Sequence, residues 1–264
     1  MNLEKNENKE EVEVEVKSDI ESKKLFDQIP DDVLSEFSEE LSEPTMGLME
    51  RIVNIFTNPK EVMEDVKIKP YTAILVLIFA IVGLLTTLPT LSIIKDSILD
   101  AMLLQAGDNI DSATLDTILN YTVIFAVVGA VVGSALAPLI SGMVSHIIAI
   151  LVGGEGKFKQ TVGINTMAYT VVAVGSILRL ALVLVTKNMY ASFSPAMFLG
   201  ANPTTNPIYG ILSVVEIFNL VYLYFIYIGI KVVHKVSNTK AWIITLLPTV
   251  FIILISLIPV LLSR

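Results

Sequence analysis

The sequence predicts an all-α membrane protein with five transmembrane helices, preceded by amphipathic interfacial helices and a disordered acidic N-terminal tail. Two observations lead to this prediction. Hydrophobic residues fill 53% of the 264 positions and the mean hydropathy is +0.71, whereas soluble domains are about 45–50% apolar. The apolar residues also gather in five tracts, each at least roughly 20 residues long and able to cross a hydrocarbon core as a helix. The tracts are residues 71–94, 118–152, 161–186, 209–230 and 241–262.

The acidity of the chain belongs to its N-terminal tail. Residues 1–50 hold 16 acidic and 5 basic residues, and the remaining 214 residues hold 10 acidic and 13 basic ones. Because residues 1–44 offer little apolar surface to bury, we predict a largely disordered cytoplasmic tail. Residues 25–43 place apolar side chains at helical spacing. This pattern favours a transient acidic helix over one that folds on a partner.

Residues 45–69 are predicted to form two short interfacial helices that precede the five-span membrane domain, residues 70–264. Five apolar residues share one face of the first helix: Leu48, Met49, Ile52, Val53 and Phe56. A helix of this kind can lie in the bilayer interface. The second helix begins near Pro59, since Asn58 can cap it and proline fits the first helical position, and it ends before Pro70.

The distribution of basic residues predicts the orientation of the spans. With five spans and a cytoplasmic tail, nine positive residues lie near inner span ends: Arg51, Lys60, Lys67, Lys69, Lys157, Lys159, Lys231, Lys235 and Lys240. Three lie near outer ends: Lys95, Lys187 and Arg264. This excess on one side follows the positive-inside rule and places the C-terminus outside the cell membrane.

The second tract is too long for an ordinary span, because residues 118–152 would make a helix of about 52 Å against a core of roughly 30 Å. Two short spans in this tract would give six positive residues on each side and remove the bias. We therefore predict one long helix, tilted or kinked at Pro138.

The stretch "GGEGKFKQ" (153–160) resembles a phosphate-binding loop in composition only. The first glycine of a P-loop would fall at Leu151 and its Ser/Thr at Phe158, and a third dinucleotide-binding glycine would fall at Lys159. We predict a cytoplasmic turn between the second and third spans, in preference to a contact with anionic lipid or a ligand phosphate. Its residues are Gly153, Gly154, Gly156, Lys157 and Lys159.

Two charged residues fall inside predicted spans, Arg179 in the third and Glu216 in the fourth. Each lies seven residues from the outer end of its span, so we predict an intramembrane ion pair between them. Two alternatives stay open. One is a polar cavity or conduction path that includes Asn219, and the other is an Arg179 side chain that extends to the membrane surface by itself.

Other polar and small residues in the spans have predicted roles in packing. His146 is expected to bond to a backbone carbonyl rather than relay protons, and Asn165 to act as a packing or capping group. Gly129, Gly133 and Ala137 recur every four residues, as do Ala126, Ala130 and Ser134, a spacing that lets helices approach closely. We favour packing within the chain over dimerisation for these rows.

No pattern in the sequence indicates catalysis. The chain has no cysteine and two histidines, which argues against disulfides, thiolate chemistry and a histidine-based metal centre. Catalytic Ser-His-Asp order and His-Glu-x-x-His are absent from the sequence, and no basic-aromatic stripe indicates nucleic-acid binding. We predict a protein that is not an enzyme and uses neither cofactor nor metal.

Residues 48–262 resemble the Yip1 domain family. Three stretches carry the resemblance: "RIVNIFTNPKEVMEDVKIKPYTAILVLI", "LVGGEGKFKQTVGINTMAYTVV" and "YLYFIYIGIKVVHKVSNTKAWIITLLP". The resemblance implies five spans and a non-enzymatic membrane adapter. Eukaryotic members bind Rab-type GTPases and carry an Asp-Leu-Tyr-Gly-Pro motif before the first span. Here that place reads "VKIKP", with only Pro70 in common, so GTPase binding is not carried over.

Some prokaryotic members of the family are accessory to export systems. We therefore predict a scaffold or accessory subunit for a membrane partner or an export system. The alternative is a small transporter or channel with a polar site around Arg179 and Glu216.

Overall fold

The computed structural model describes residues 45–106, 111–199 and 207–262, all within one compact unit, Pro44–Arg264. Every regular element in these ranges is a helix, which confirms the all-helical prediction. The α-helices are α1 (Leu48–Asn54), α2 (Pro59–Ile68), α3 (Thr72–Thr87), α4 (Leu91–Ala106), α5 (Ser112–Leu151), α6 (Phe158–Ala168), α7 (Thr170–Thr186), α8 (Pro207–Val214), α9 (Ile217–His234) and α10 (Asn238–Leu262). Short 3₁₀ turns occupy Leu88–Thr90 and Pro195–Leu199. The predicted acidic tail lies outside the described residues.

Four helical stretches of the described residues are long and apolar enough to cross a membrane: Thr72–Asp100, Ala113–Leu151, Phe158–Thr186 and Ile217–His234. They correspond to the first four predicted spans. The fifth predicted span, residues 241–262, falls within α10 and stays a prediction. The long second tract is a single helix, α5, with Pro138 inside it.

Helix α6 forms the centre of the bundle. All residues from Thr161 to Ala168 are buried, and α2, α3, α5 and α9 pack around them. Ile164 and Met167 of α6 join one apolar core with Phe79 of α3 and Ile230 of α9. A helix whose polar residues are also enclosed needs partners for them inside the protein. The contacts of α6 therefore determine where the chain places its polar chemistry.

Helices α1 and α2 occupy the region of the two predicted interfacial helices, and α2 is part of the bundle. Val62, Met63 and Val66 are buried in the core beside α6 and α9. On α1, Met49 and Val53 are exposed. One apolar face of this region thus joins the protein core, while the predicted position at the bilayer interface stays a prediction for the exposed face of α1.

The row Gly129, Gly133 and Ala137 does not pack against another helix of the described chain, whereas the row that contains Ala130 and Ser134 does. Gly129, Gly133 and Ala137 are exposed, and a Cβ added at either glycine would meet nothing within 4 Å. The close approach occurs one residue further along the helix. A Cβ at Gly83 of α3 would lie 2.6 Å from the Ala130 carbonyl oxygen and 2.4 Å from the Ser134 hydroxyl oxygen. Because both rows of small residues have the same spacing, spacing alone does not indicate the packed face.

Candidate functional site

Both histidines of the chain meet at one threonine. Thr161, in the first turn of α6, has its hydroxyl oxygen 3.1 Å from Nδ1 of His146 on α5 and 2.8 Å from Nε2 of His234 at the end of α9. The two imidazole centroids lie 6.0 Å apart. Thr161 and His234 are buried, and His146 is half-buried. One hydroxyl thus joins the consecutive helices α5 and α6 to α9, which is distant from both in sequence.

The glycine-rich turn is held by the same histidine. The backbone N–H of Gly156 donates to Nδ1 of His234 across 3.0 Å. Since Nδ1 accepts this bond, the ring is neutral and carries its proton on Nε2, from which it donates to Thr161. The N–H of Glu155 also donates to the backbone carbonyl of His234, across 3.5 Å. His234 therefore ties the α5–α6 turn to the end of α9.

The turn needs glycine at three positions, at one for its backbone conformation and at two for lack of space. Gly153 has φ of 82°, in the left-handed region that favours glycine. A Cβ at Gly154 would lie 2.7 Å from Nδ1 of His234, and one at Gly156 would lie 2.3 Å from a methyl carbon of Val233. The turn can approach α9 closely only without side chains at these positions. Lys157 and Lys159 follow it and are exposed.

A second hydrogen-bonded group continues from Thr161 through the bundle. The Thr161 carbonyl accepts from Nδ2 of Asn165 at 2.9 Å, Asn165 Oδ1 accepts from the Ser141 hydroxyl at 3.0 Å, and the Ser141 oxygen accepts from the Tyr222 hydroxyl at 2.9 Å. Asn165 is wholly buried. These bonds again join α5, α6 and α9. We use the name histidine–threonine network for His146, Thr161, Asn165, His234, Ser141 and Tyr222.

Sequence reasoning named two members of this network and assigned one of them the wrong partner. His146 bonds to the hydroxyl of Thr161 rather than to a backbone carbonyl, because α6 brings that hydroxyl to the imidazole. His234, Thr161, Ser141 and Tyr222 were missed. The available signal was the pair of histidines, since each lies near a helix end that borders the glycine-rich turn. Among the described residues, no group of three or more His, Cys, Asp or Glu could hold a metal ion.

A buried ion pair joins α1 to α2, before the first membrane span. Arg51 of α1 is 0% exposed, and its Nη2 lies 3.4 Å from a carboxylate oxygen of Asp65 on α2. Its other nitrogens donate to the carbonyls of Met46 and Lys69, and the guanidinium lies over the Tyr71 ring. The sequence places Arg51 among the basic residues near the inner span ends, but in the structure its side chain is part of the core.

Asp65 holds the residues that come before α1. Its carboxylate accepts bonds from the N–H and hydroxyl of Thr45 and from the N–H of Met46. Burial alone would raise the pKa of Asp65. The hydrogen bonds from Thr45 and Met46, together with the charge of Arg51, outweigh burial and hold the pKa of Asp65 below its ordinary value. We use the name entry clasp for Arg51, Asp65, Thr45 and Met46.

The predicted ion pair between Arg179 and Glu216 is absent from the part of the chain that the structure describes. Arg179 is exposed on α7 and donates to the backbone carbonyls of Ala191 at 3.1 Å and Met189 at 3.0 Å. The alternative in which Arg179 extends to the membrane surface by itself stays a prediction. Glu216 does not lie inside a span, because it is the N-cap residue of α9.

The predicted position of Glu216 is wrong because the predicted fourth span is broken into two helices. Residues 209–230 are divided between α8 and α9, and Glu216 has extended backbone angles. The N–H of Ile217 donates to the Phe193 carbonyl in the segment after α7, instead of continuing α8. Asn219, the third residue of α9, is half-buried beside this break.

Comparison with known proteins gives one match. A family model described as the Yip1 domain matches residues 53–258. That range includes every element of the histidine–threonine network and all of α2. No curated protein and no solved structure matches the chain.

Proposed function

The chain belongs to the Yip1 domain family and is a multi-pass integral membrane protein, and from this premise we propose that it is a non-enzymatic scaffold or accessory subunit. Its partner would be another membrane protein or an export system in the cell membrane. This role requires a rigid body that presents fixed surfaces, and it requires neither a bound cofactor nor a reacting group.

The observation that carries the proposal is the closed state of the histidine–threonine network. Thr161 and Asn165 are each 0% exposed, and each bonds to side chains of neighbouring helices. A catalytic or transport site needs polar groups that a substrate can reach. Here the polar groups bond to one another, and their effect is to fix α5, α6 and α9. This supports a structural use of the interior and leaves the surfaces for partners.

The proposed orientation has five spans, a cytoplasmic N-terminus and an external C-terminus. It is supported by the exposed lysines near the glycine-rich turn and the end of α9, including Lys159, Lys235 and Lys240. A reporter that is active only in the cytosol, fused after Arg264, should be silent, and the same reporter fused before Met1 should be active. Activity of the C-terminal fusion would require an even number of spans.

Co-purification from native membranes in mild detergent tests the scaffold role. We expect a membrane partner in fixed stoichiometry with the full chain, and its loss when residues 1–44 are removed if the acidic tail is the contact. A matched control keeps the tail and replaces its acidic residues by amides, which separates charge from length. A chain that runs alone from native membranes would count against a scaffold.

The break in front of α9 supports a small transporter or channel as second candidate. Interrupted helices with polar residues at the break are typical of transport proteins. Glu216 and Asn219 lie at the break before α9, and Arg179 of α7 bonds to carbonyls of the segment that follows that helix. Solute flux into liposomes that contain the purified chain tests it. Flux that is unchanged by Glu216→Gln would remove Glu216 from any such path.

A further inference from the structure

Four lysines are exposed at the end of the bundle where the glycine-rich turn meets α9, which we call the locked end. They are Lys159 of α6, Lys231 and Lys235 at the end of α9, and Lys240 at the start of α10. The acidic residue of the turn is Glu155. Three separate segments thus contribute positive charge at one end of the bundle.

Contacts within the protein hold these lysines together. The bond from Gly156 to His234 places the start of α6 beside Lys235. Nζ of Lys240 lies 3.8 Å from the point where a Cβ of Gly153 would stand, so α10 begins against the turn. Lys231 donates to the side chain of Asn238, the first residue of α10. The positive cluster is therefore built by the fold and does not come from one flexible segment.

Apolar side chains are exposed next to the lysines. Leu151 is 79% exposed at the end of α5, Phe158 49% at the start of α6 and Trp242 39% near the start of α10. The Trp242 ring stacks on Tyr227 of α9 with centroids 4.3 Å apart. Tryptophan and tyrosine with flanking lysines are typical of the level where hydrocarbon meets headgroups.

We propose that the locked end binds anionic phospholipids of the adjacent leaflet. The lysines would contact the phosphates, and Leu151, Phe158 and Trp242 would contact the acyl chains. A soluble phosphate could use the lysines but has no part that would cover the three apolar side chains. This favours a lipid as the occupant. The inference goes beyond the scaffold role and does not depend on it.

The single tryptophan of the chain allows a direct test. The full chain is reconstituted in phosphatidylcholine bilayers that contain either brominated phosphatidylglycerol or brominated phosphatidylcholine, because bromine quenches a tryptophan that it contacts. We expect the relative binding constant at Trp242 to favour the anionic lipid by at least about five-fold, the effect of roughly one lysine near an anionic surface. Equal quenching by both lipids would overturn the proposal.

Matched variants assign the preference to the lysines. The triple variant Lys159→Gln, Lys235→Gln, Lys240→Gln should lower the ratio of binding constants several-fold, because Lys231 alone of the four lysines remains, and the corresponding Lys→Arg triple should retain the preference. The control is Lys95→Gln with Lys187→Gln, which should leave the ratio unchanged. Lys187 is well matched to Lys235, because both end a helix with a left-handed backbone, φ of 54° and 51°. A glutamine triple that keeps the wild-type ratio would overturn the proposal.

A last arm separates lipid from free anion. Inorganic phosphate, added in place of chloride at equal ionic strength, should leave the quenching ratio unchanged. A ratio that falls only with inorganic phosphate would assign the lysines to a soluble anion and overturn the lipid proposal.

Discussion

The two arginines of the described residues, Arg51 and Arg179, show how differently the two ends of the bundle are built. Arg51, in the entry clasp, is enclosed and bonds to a carboxylate and two carbonyls that belong to other elements. Arg179, at the opposite end, is exposed and bonds only to carbonyls of the segment that follows its own helix. The first arrangement fixes the helices relative to one another, whereas the second fixes one helix to its adjoining loop.

The histidine–threonine network extends this difference. It joins α5, α6 and α9 through side chains that are far apart in sequence, and it lies toward the locked end. At the opposite end, the contacts of Ile217 and Tyr209 are with backbone carbonyls of residues 190–193. We infer that stability is concentrated in the locked end and the entry clasp, and that the opposite end tolerates change.

The largest expected effect is from breaking the entry clasp. Arg51→Met leaves the carboxylate of Asp65 buried without its positive partner, and loss of one member of a buried ion pair costs about 3–5 kcal/mol. The free energy of unfolding in detergent micelles, measured by denaturant titration, should fall by that amount. The matched control is Lys60→Met, which breaks the exposed pair with Glu64, whose side chains are 74% and 54% exposed. It should cost less than about 1 kcal/mol. Equal losses in the two variants would contradict the comparison.

The next effect is from His234→Phe, which keeps the ring and removes both of its hydrogen bonds. The N–H of Gly156 loses its acceptor and the hydroxyl of Thr161 loses a donor, and each buried polar group left unpaired costs about 1–3 kcal/mol. His146→Phe is the control, because His146 is half-buried and makes one of the network's bonds. We expect a smaller loss in unfolding free energy for His146→Phe. A larger loss there would make His146, rather than His234, the centre of the network.

Adding a methyl group to the glycine-rich turn should lower the free energy of unfolding by about 1–3 kcal/mol. Gly156→Ala places a methyl group against Val233, and overpacking of this kind destabilises by that amount. Gly129→Ala has open space around it in mid-helix, so it should be neutral or stabilise by up to about 1 kcal/mol. A decrease in the unfolding free energy for Gly156→Ala, with no change or an increase for Gly129→Ala, would confirm that the two glycines have different roles. A neutral Gly156→Ala would show that the turn can move away from α9.

The helices of this protein could be predicted from the sequence, but most of the network could not. Long apolar tracts determine α3, α5 and the α6–α7 stretch because the backbone must satisfy its own hydrogen bonds in lipid. The glycine-rich turn also follows from local composition. The acceptor of the Gly156 N–H, however, lies 78 residues away. No local pattern encodes that distance, since it depends on how α5, α6 and α9 pack.

The failure at Arg179 and Glu216 has a different cause. Their equal depth was counted along unbroken helices, and the fourth tract is broken at Glu216 by a hydrogen bond from Ile217 to Phe193. The helices on both sides of the break are apolar, so a long apolar tract alone does not show where one helix ends. Hydrogen bonds between distant parts of the chain explain both the network residues that the sequence does not reveal and the failed prediction of an ion pair between Arg179 and Glu216.

A pH titration sharpens the comparison within the entry clasp. The pKa of Asp65 is below its ordinary value in the folded chain, so its contribution to stability is complete above the unfolded pKa of about 4. The contribution is lost as pH falls through that value toward the folded pKa. Thermal stability of the wild type in micelles should therefore decrease from pH 5 to pH 3 more steeply than that of Asp65→Asn. Parallel curves would show that other carboxylates control the acid response.

The smallest expected effect is from Arg179→Met at the opposite end. The guanidinium is exposed, and the carbonyls of Met189 and Ala191 can bond to water or headgroups when it is removed. We expect the unfolding free energy to change by less than about 1 kcal/mol, far less than for Arg51→Met. Glu216→Gln in the same background should add nothing further, since the two residues are not paired. A coupling energy clearly above the error between Arg179 and Glu216 would show that the membrane brings them together. The opposite end would then be held by an arginine–carboxylate ion pair, as the entry clasp is.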